Sequence, residues 1–247
     1  MLLAVDIGNS ATKCGIYDGK TLLSRFQFPT HSENVSTELS KDTEGSSIRK
    51  AIICSVVPAV NSQIVSVIES RFNVQPLVVT NDLDFGLTVN YHPLIAAGSD
   101  RIVNSFGALE KYGAPVMVCS FGTASTFDMV VEPRTWLGGV IAPGFATMAT
   151  GLHTGAAQLP EIAITRPSKV IGTSTDECMT SGVFYGQIGL AEGIIKRIKH
   201  ETGKSFKVVA TGGFASFIAE LVDDIDVLDD RLLLDGLQLL SERLYQA

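Results

Sequence analysis

Val5-Asp6-Ile7-Gly8-Asn9-Ser10 carries an apolar run, Leu2 to Val5, into a carboxylate, a glycine and two small polar side chains. The chain resumes as Cys14-Gly15-Ile16-Tyr17-Asp18-Gly19, which reads as a second strand closed by an Asp-Gly turn. Glycine at position 8 lets the backbone approach a bulky anion and offer N–H groups to it. Asp6 is suited to hold a hydrated metal beside that anion. Lys13 joins as a phosphate partner only if the turn brings it to the same side. The competing reading is an ordinary hairpin with a capping aspartate. A phosphate held in a strand-turn-strand hairpin is the first expectation.

The pattern returns later in the chain. Shifted by 114 residues, Val5-Asp6-Ile7-Gly8-Asn9-Ser10-Ala11-Thr12 falls on Cys119-Ser120-Phe121-Gly122-Thr123-Ala124-Ser125-Thr126, glycine on glycine and Thr12 on Thr126. Strand, glycine turn and strand recur in both halves, which favours duplication over chance. Two such hairpins facing each other across a cleft would present two glycine turns to one polyphosphate. One position differs in kind: Asp6 of the first copy is Ser120 in the second.

Between and after the hairpins, strands are expected over Leu22–Phe28, Ala51–Cys54, Pro76–Val79, Leu137–Ile141 and Lys207–Ala210. Helical spacing is expected over Asn61–Phe72, from Gly98 to Gly113, over Ser174–His200 with a break near Gly182 or Gly186, and over Asp230–Leu244. The last carries Leu233, Leu234, Leu237, Leu240 and Leu244 on one side. Residues 30–50 are polar with one short surface helix, a short helix follows Gly144, and 80–97 and 151–167 read as irregular connections. Alternating strands and helices make the class α/β.

With 247 residues, 45% hydrophobic and 18% charged, the chain buries a core as one large domain or two small ones. A net charge of -7 argues against a nucleic-acid surface. No apolar run reaches membrane-spanning length, and Met1 leads into a strand rather than a signal peptide. Cys14, Cys54, Cys119 and Cys178 form no CxxC pair and lie in apolar segments, so buried reduced thiols in a cytosolic protein are expected. His31, His92, His153 and His200 lack metal spacing, and neither a GxSxG elbow nor a GxxxxGK[ST] loop occurs.

Two other constellations carry chemistry. Gly98-Ser99-Asp100-Arg101 reads either as a helix N-terminus with Asp100 in its cap or first turn, or as a site. In the second reading Asp100 is a general base toward a hydroxyl and Arg101 forks onto a substrate carboxylate. Thr211-Gly212-Gly213 follows a strand and opens a helix, where a planar base or ribose can lie against backbone.

These blocks resemble, in order and essentially end to end, the type III pantothenate kinases. The family lies in the acetate and sugar kinase, Hsp70 and actin superfamily. Asp6-Ile7-Gly8-Asn9-Ser10 is similar to the family's DxGN[TS] phosphate motif. Ser55-Val56-Val57-Pro58, Gly98-Ser99-Asp100-Arg101 and Phe121-Gly122-Thr123-Ala124 resemble its SVVP, GxDR and xGTA blocks. Gly139-Val140-Ile141-Ala142-Pro143-Gly144, Gln158-Leu159-Pro160, Ile171-Gly172-Thr173-Ser174-Thr175, Thr211-Gly212-Gly213 and Leu234-Asp235-Gly236-Leu237 follow in the family's order.

The resemblance implies two duplicated ribonuclease-H-like (actin-like ATPase) domains, 1–113 and 114–247, around a central cleft. It implies ATP-dependent phosphorylation of pantothenate to 4'-phosphopantothenate, the first step of coenzyme A biosynthesis. Asp100 would be the general base, with Tyr91, Gly98, Arg101 and a partner subunit's Thr175 at pantothenate. Asp6, Gly8, Asn9, Ser10 and Lys13 would face the ATP phosphates, with Gly122 and Thr123 opposite and Gly212 and Gly213 nearer the nucleoside. The family implies a cytoplasmic homodimer with its site near the interface, ATP-bound Mg²⁺, and a monovalent cation such as K⁺ or NH₄⁺. Asp6 and Ser120 are the positions at the metal. Ser120 departs from the family's DxGTA, and a hydroxyl brings no charge to a cation; Thr173, where lysine is common, departs more mildly. An alternative from another class is a non-catalytic or weakly active regulatory binder of a nucleotide or metabolite. A third reading keeps phosphotransfer with another small hydroxy-acid as acceptor.

Overall fold

In the computed structural model, which describes residues 1–246, the opening apolar run is an interior strand, with Leu2 to Val5 and Ile7 all buried. In chain order the elements are β1 (Leu2–Ile7), β2 (Ala11–Asp18), β3 (Thr21–Pro29), α1 (Val35–Thr43), β4 (Lys50–Ser55), α2 (Pro58–Phe72), β5 (Leu77–Val78), β6 (Thr88–Val89) and α3 (Ser99–Tyr112). They continue as β7 (Val116–Phe121), β8 (Ala124–Val131), β9 (Thr135–Pro143), α4 (Phe145–Gly155), α5 (Thr175–Thr202), β10 (Lys207–Thr211), α6 (Ala215–Ala219), β11 (Val227–Leu228) and α7 (Leu232–Gln246). They divide into two units. The first holds residues up to Lys111, the short piece Arg134–Trp136 and the chain from Arg231; the second holds Tyr112–Pro133 and Leu137–Asp230.

The first unit is built on a sheet in the order β3-β2-β1-β4-β5. β1 pairs antiparallel with β2 and parallel with β4. Side chains of β1 point alternately to the two faces. Leu3, Val5 and Ile7 join a core with Val35 and Leu39 of α1 and Val60, Ile64 and Ile68 of α2. The second unit repeats the plan as β11-β10-β7-β8-β9, with β7 antiparallel to β8 and parallel to β10. Its core gathers Phe121, Phe127, Phe145 and Phe184 with the inward face of α5. The two sheets and their helices form the duplicated ribonuclease-H-like α/β architecture expected from the sequence.

Several local expectations change. The hairpins match in topology but not in turn length: pairing closes at Ile7↔Thr12 across residues 8–11, and at Phe121↔Ser125 across 122–124. Thr12 therefore corresponds to Ser125, not Thr126, and Lys13 corresponds to Thr126. α5 runs unbroken for 28 residues through Gly182 and Gly186, because packing of one face outweighs glycine's propensity penalty. α2 begins earlier than expected, with Pro58 in its first turn where the missing N–H costs nothing. α4 extends to Gly155, into the stretch read as loop. α7 starts at Leu232 and buries Leu232, Leu234, Leu237 and Leu240, while Leu233 and Leu244 are only half-buried. Cys14, Cys54 and Cys119 are buried free thiols, but Cys178 is exposed on the first turns of α5.

Candidate active site

Asp6 and Lys13 are direct partners in the β1–β2 register, so both side chains leave the same face of the sheet. That meets the condition set on Lys13. Burial pushes the Asp6 carboxyl up to about 7; the Lys13 charge opposes the rise and the Asp100 charge adds to it. Asp6, Lys13 and Asp100 thus share one electrostatic neighbourhood within the first unit. Cys54 sits opposite Asp6 on β4, with its sulfur 3.5 Å from the Ser99 hydroxyl. Burial first, then the Asp6 and Asp100 charges, push its thiol well up, which keeps it neutral.

The glycine turn is braced from a distance. Gly8 N–H donates to the Ala11 carbonyl at 3.2 Å, and Thr30 N–H donates to the Ser10 carbonyl at 3.2 Å. The buried Thr30 hydroxyl donates to the Gly8 carbonyl at 2.6 Å, leaving Asn9 and Ser10 exposed at the tip. Thr30 was not singled out from the sequence, where it is one threonine at the edge of a polar stretch.

Asp100 lies in the first turn of α3, where the helix dipole favours a carboxylate. A side chain at Gly98 would bring its Cβ within 2.5 Å of Asp100 Oδ1, so glycine there leaves room for the carboxylate. Burial raises the Asp100 carboxyl, against the Arg101 backbone N–H and the Arg101 charge. Arg101 is 5% exposed. Its guanidinium lies 5.6 Å from the Tyr91 ring centroid and 5.3 Å from that of Trp136. Tyr91 and Trp136 stack with centroids 5.3 Å apart and planes 21° apart. Tyr91, Gly98, Asp100 and Arg101 therefore form one group. Trp136 belongs with them and was missed, since nothing nearby in sequence links it to Tyr91.

In the second unit Ser120, the last residue but one of β7, lies opposite Thr126. Asp128, fully buried, leaves the same face of β8 as Thr126, one diagonal step deeper than Ser120. Gly122 N–H donates to the Ala124 carbonyl at 3.0 Å, and the Thr123 carbonyl accepts from Gly144 N–H at 3.0 Å and the Thr147 hydroxyl at 2.6 Å. Gly212 has φ of +99°, and a Cβ there would lie 2.5 Å from the Phe121 carbonyl oxygen. Gly122, Thr123, Gly212 and Gly213 are thereby neighbours. Thr175 is elsewhere in this unit, as the exposed first residue of α5. It lines an open cavity of about 640 Å³ with Leu152, Leu159, Thr173, Cys178 and Met179. Ser174 caps that helix by accepting from Glu177 N–H, and the Glu177 carboxylate holds Thr173.

Among the described residues no group of three or more His, Cys, Asp or Glu side chains gathers as a metal cage, and no helix is long and apolar enough to cross a membrane.

Residues 2–197 match the family model described as type III pantothenate kinase. A type III pantothenate kinase of Brevibacillus brevis is 41% identical, with 98% of this chain and 99% of that protein covered. One from Agathobacter rectalis is 39% identical over 98% of this chain and 97% of that protein. In fold, the chain resembles a ROK family glucokinase from Streptomyces griseus, solved with glucose and AMPPNP, at a TM-score of 0.57, 11% identity, and coverage of 100% and 99%. It also resembles a Campylobacter jejuni protein provisionally described as a Baf family transcriptional activator, at a TM-score of 0.62, 19% identity, and coverage of 99% and 100%. The extent and level of the match to the first group, over a chain that carries the glycine turns and the Gly98–Arg101 block, place it in a family: this chain belongs to the type III pantothenate kinases.

Proposed function

We propose that this chain transfers the terminal phosphoryl group of ATP to the hydroxyl of pantothenate, giving 4'-phosphopantothenate for coenzyme A biosynthesis. The observation that carries the reading is the joint neighbourhood of Asp6, Lys13 and Asp100, with the buried Arg101 next in sequence to Asp100. In this reading the pantothenate hydroxyl oxygen bonds to the γ-phosphorus and its proton passes to the Asp100 carboxylate. The bond from phosphorus to the β–γ bridging oxygen breaks, and ADP leaves with that electron pair. A carboxyl raised by burial is a better proton acceptor than an ordinary one. Arg101 forks onto the pantothenate carboxylate beside Tyr91 and Gly98, which matches the planar geometry of a guanidinium.

Gly8, Asn9, Ser10 and Lys13 are assigned to the phosphates, the turn offering backbone N–H groups and Lys13 a point charge. In the second unit Gly122 and Thr123 are the counterpart turn, and Gly212 and Gly213 the nucleoside neighbours. Hydrated Mg²⁺ fits this donor set: no protein cage is present among the described residues, and Asp6 is a carboxylate whose ionised form lacks full compensation. Bound with ATP, the ion would neutralise charge on the β- and γ-phosphates. Asp6 would hold its water shell, and in the second unit the Ser120 hydroxyl would offer a neutral ligand to a K⁺ or NH₄⁺ ion.

The halves 1–113 and 114–247 are proposed as the products of duplication, on the matched strand orders. A homodimer is proposed from exposed apolar residues on the second unit, Val140, Ile141, Leu152, Val170 and Ile171, where Thr175 also lies. Three buried free thiols accord with a cytoplasmic setting. The regulatory-binder alternative is not favoured, since Asp100 and Arg101 are kept together with the phosphate turn. The test is ADP release with pantothenate, Mg²⁺ and K⁺, with the product weighed by mass spectrometry. Pantothenate-dependent turnover and a product heavier by one phosphoryl group are expected; neither appearing would overturn the reading.

A further inference from the structure

Trp136 is the only tryptophan of the chain and is fully buried. It reaches the first unit through an excursion of only three residues, Arg134–Trp136, from a stretch otherwise belonging to the second. Its backbone is fixed there: β6 pairs with the start of β9 in the register Thr88↔Thr135 and Val89↔Trp136, and Asn90 N–H donates to the Trp136 carbonyl at 3.0 Å. The next residue, Tyr91, then stacks its ring on the indole. The Arg101 guanidinium lies over both rings, at 5.3 Å and 5.6 Å from their centroids. A strand pair and a helix therefore converge on one planar cation.

Arginine loses rotamer entropy when its side chain is fixed. A guanidinium over a desolvated indole face is attracted to the ring quadrupole, which offsets that loss. The aromatic pair can thus hold the fork in place before any ligand arrives, so that binding a carboxylate need not order it.

We propose that Trp136 is a positioning residue of the acceptor site, its indole face holding the Arg101 guanidinium and the Tyr91 ring in the geometry that receives the acceptor's carboxylate. The inference rests on the pantothenate reading, and the tests separate the two. Trp136→Leu removes the aromatic face at similar hydrophobicity, and Trp136→Phe keeps a face. Expected for Trp136→Leu is a rise of about tenfold in KM for pantothenate, with kcat within about threefold of the parent and KM for ATP unchanged. Trp136→Phe should restore most of the pantothenate KM. An unchanged pantothenate KM in Trp136→Leu, or parallel losses in kcat and in KM for both substrates, would overturn the proposal.

A second readout does not need turnover. The Arg101 Nε–H proton, assigned through its loss in Arg101→Lys, should resonate upfield from ring current in the ligand-free protein. The shift should persist in Trp136→Phe and shrink in Trp136→Leu, where only the Tyr91 ring remains. An undiminished shift in Trp136→Leu would overturn the clamp. If the parent protein shows no pantothenate turnover while this shift behaves as expected, the substrate reading fails and the clamp on Arg101 stands.

Discussion

Asp6 and Asp100 are carboxylates of one neighbourhood given different work by their surroundings. Asp100 keeps the Arg101 charge and two backbone N–H groups beside it, and the proposed phosphoryl transfer uses it as the general base. Asp100→Asn is expected to lower kcat by about 10²–10⁴ with little change in KM for ATP, measured by steady-state ADP release. Asp6 carries a raised carboxyl, so the folded chain binds more protons than the unfolded one between its ordinary value near 4 and about 7. Stability in the absence of nucleotide and metal should therefore fall as pH rises through that window, and level off above it. Asp6→Asn removes the titration. Its melting temperature should gain on the parent as pH goes from 4 to 7, by about 2–4 °C for each kcal/mol recovered; parallel profiles would refute the shift. Ser120→Asp puts a charge on β7 just before the second turn and is expected to lower the Mg²⁺ or K⁺ concentration needed for half-maximal activity by about threefold to tenfold. An unchanged cation requirement would remove Ser120 from the cation's surroundings.

At the scale of elements, the block Leu234-Asp235-Gly236-Leu237 gains a physical meaning that its letters do not carry. α7 lies against the first unit's sheet and against α3. The Asp235 carboxylate accepts from the Tyr17 hydroxyl at 2.8 Å and from Lys111 Nζ at 2.6 Å, joining β2, α3 and α7. Burial, and then that bond to Asp235, drive the Tyr17 hydroxyl strongly up, so it stays a donor. Gly236 and Gly107 let α7 and α3 approach: a Cβ on Gly107 would meet Gly236 Cα at 2.9 Å, and one on Gly236 would meet the Val103 carbonyl oxygen at 2.9 Å. Gly236→Val must push these helices apart and is expected to cost about 3 kcal/mol, a drop of about 6–12 °C in melting temperature by calorimetry. Since α3 carries Asp100 and Arg101, residual activity at low temperature should fall as well. Helical periodicity made α3 and α7 legible from spacing, but not their contact, because the small residues that permit it lie far apart in sequence.

On the scale of the whole molecule, the exposed apolar set Val140, Ile141, Leu152, Val170 and Ile171 predicts self-association. The chain of 26.3 kDa should sediment at twice that mass, and Ile171→Asp, on an 81% exposed side chain, should shift it toward the monomer without lowering its melting temperature at matched low concentration. Sedimentation of the parent as a monomer at micromolar concentration would sink the dimer. The amino-acid sequence by itself determined the two glycine-turn hairpins, the α/β alternation and the block that brings Asp100 and Arg101 together, because turn chemistry and hydrophobic period act over a few residues. Only the tertiary structure decided that Lys13 shares a face with Asp6, that the second turn is one residue shorter, and that Thr30 braces the first. It also decided that Trp136 and α7 belong with the first unit. Each of these depends on strand register or on contacts between distant residues, and a register is settled by the packing of whole faces rather than by any local signal.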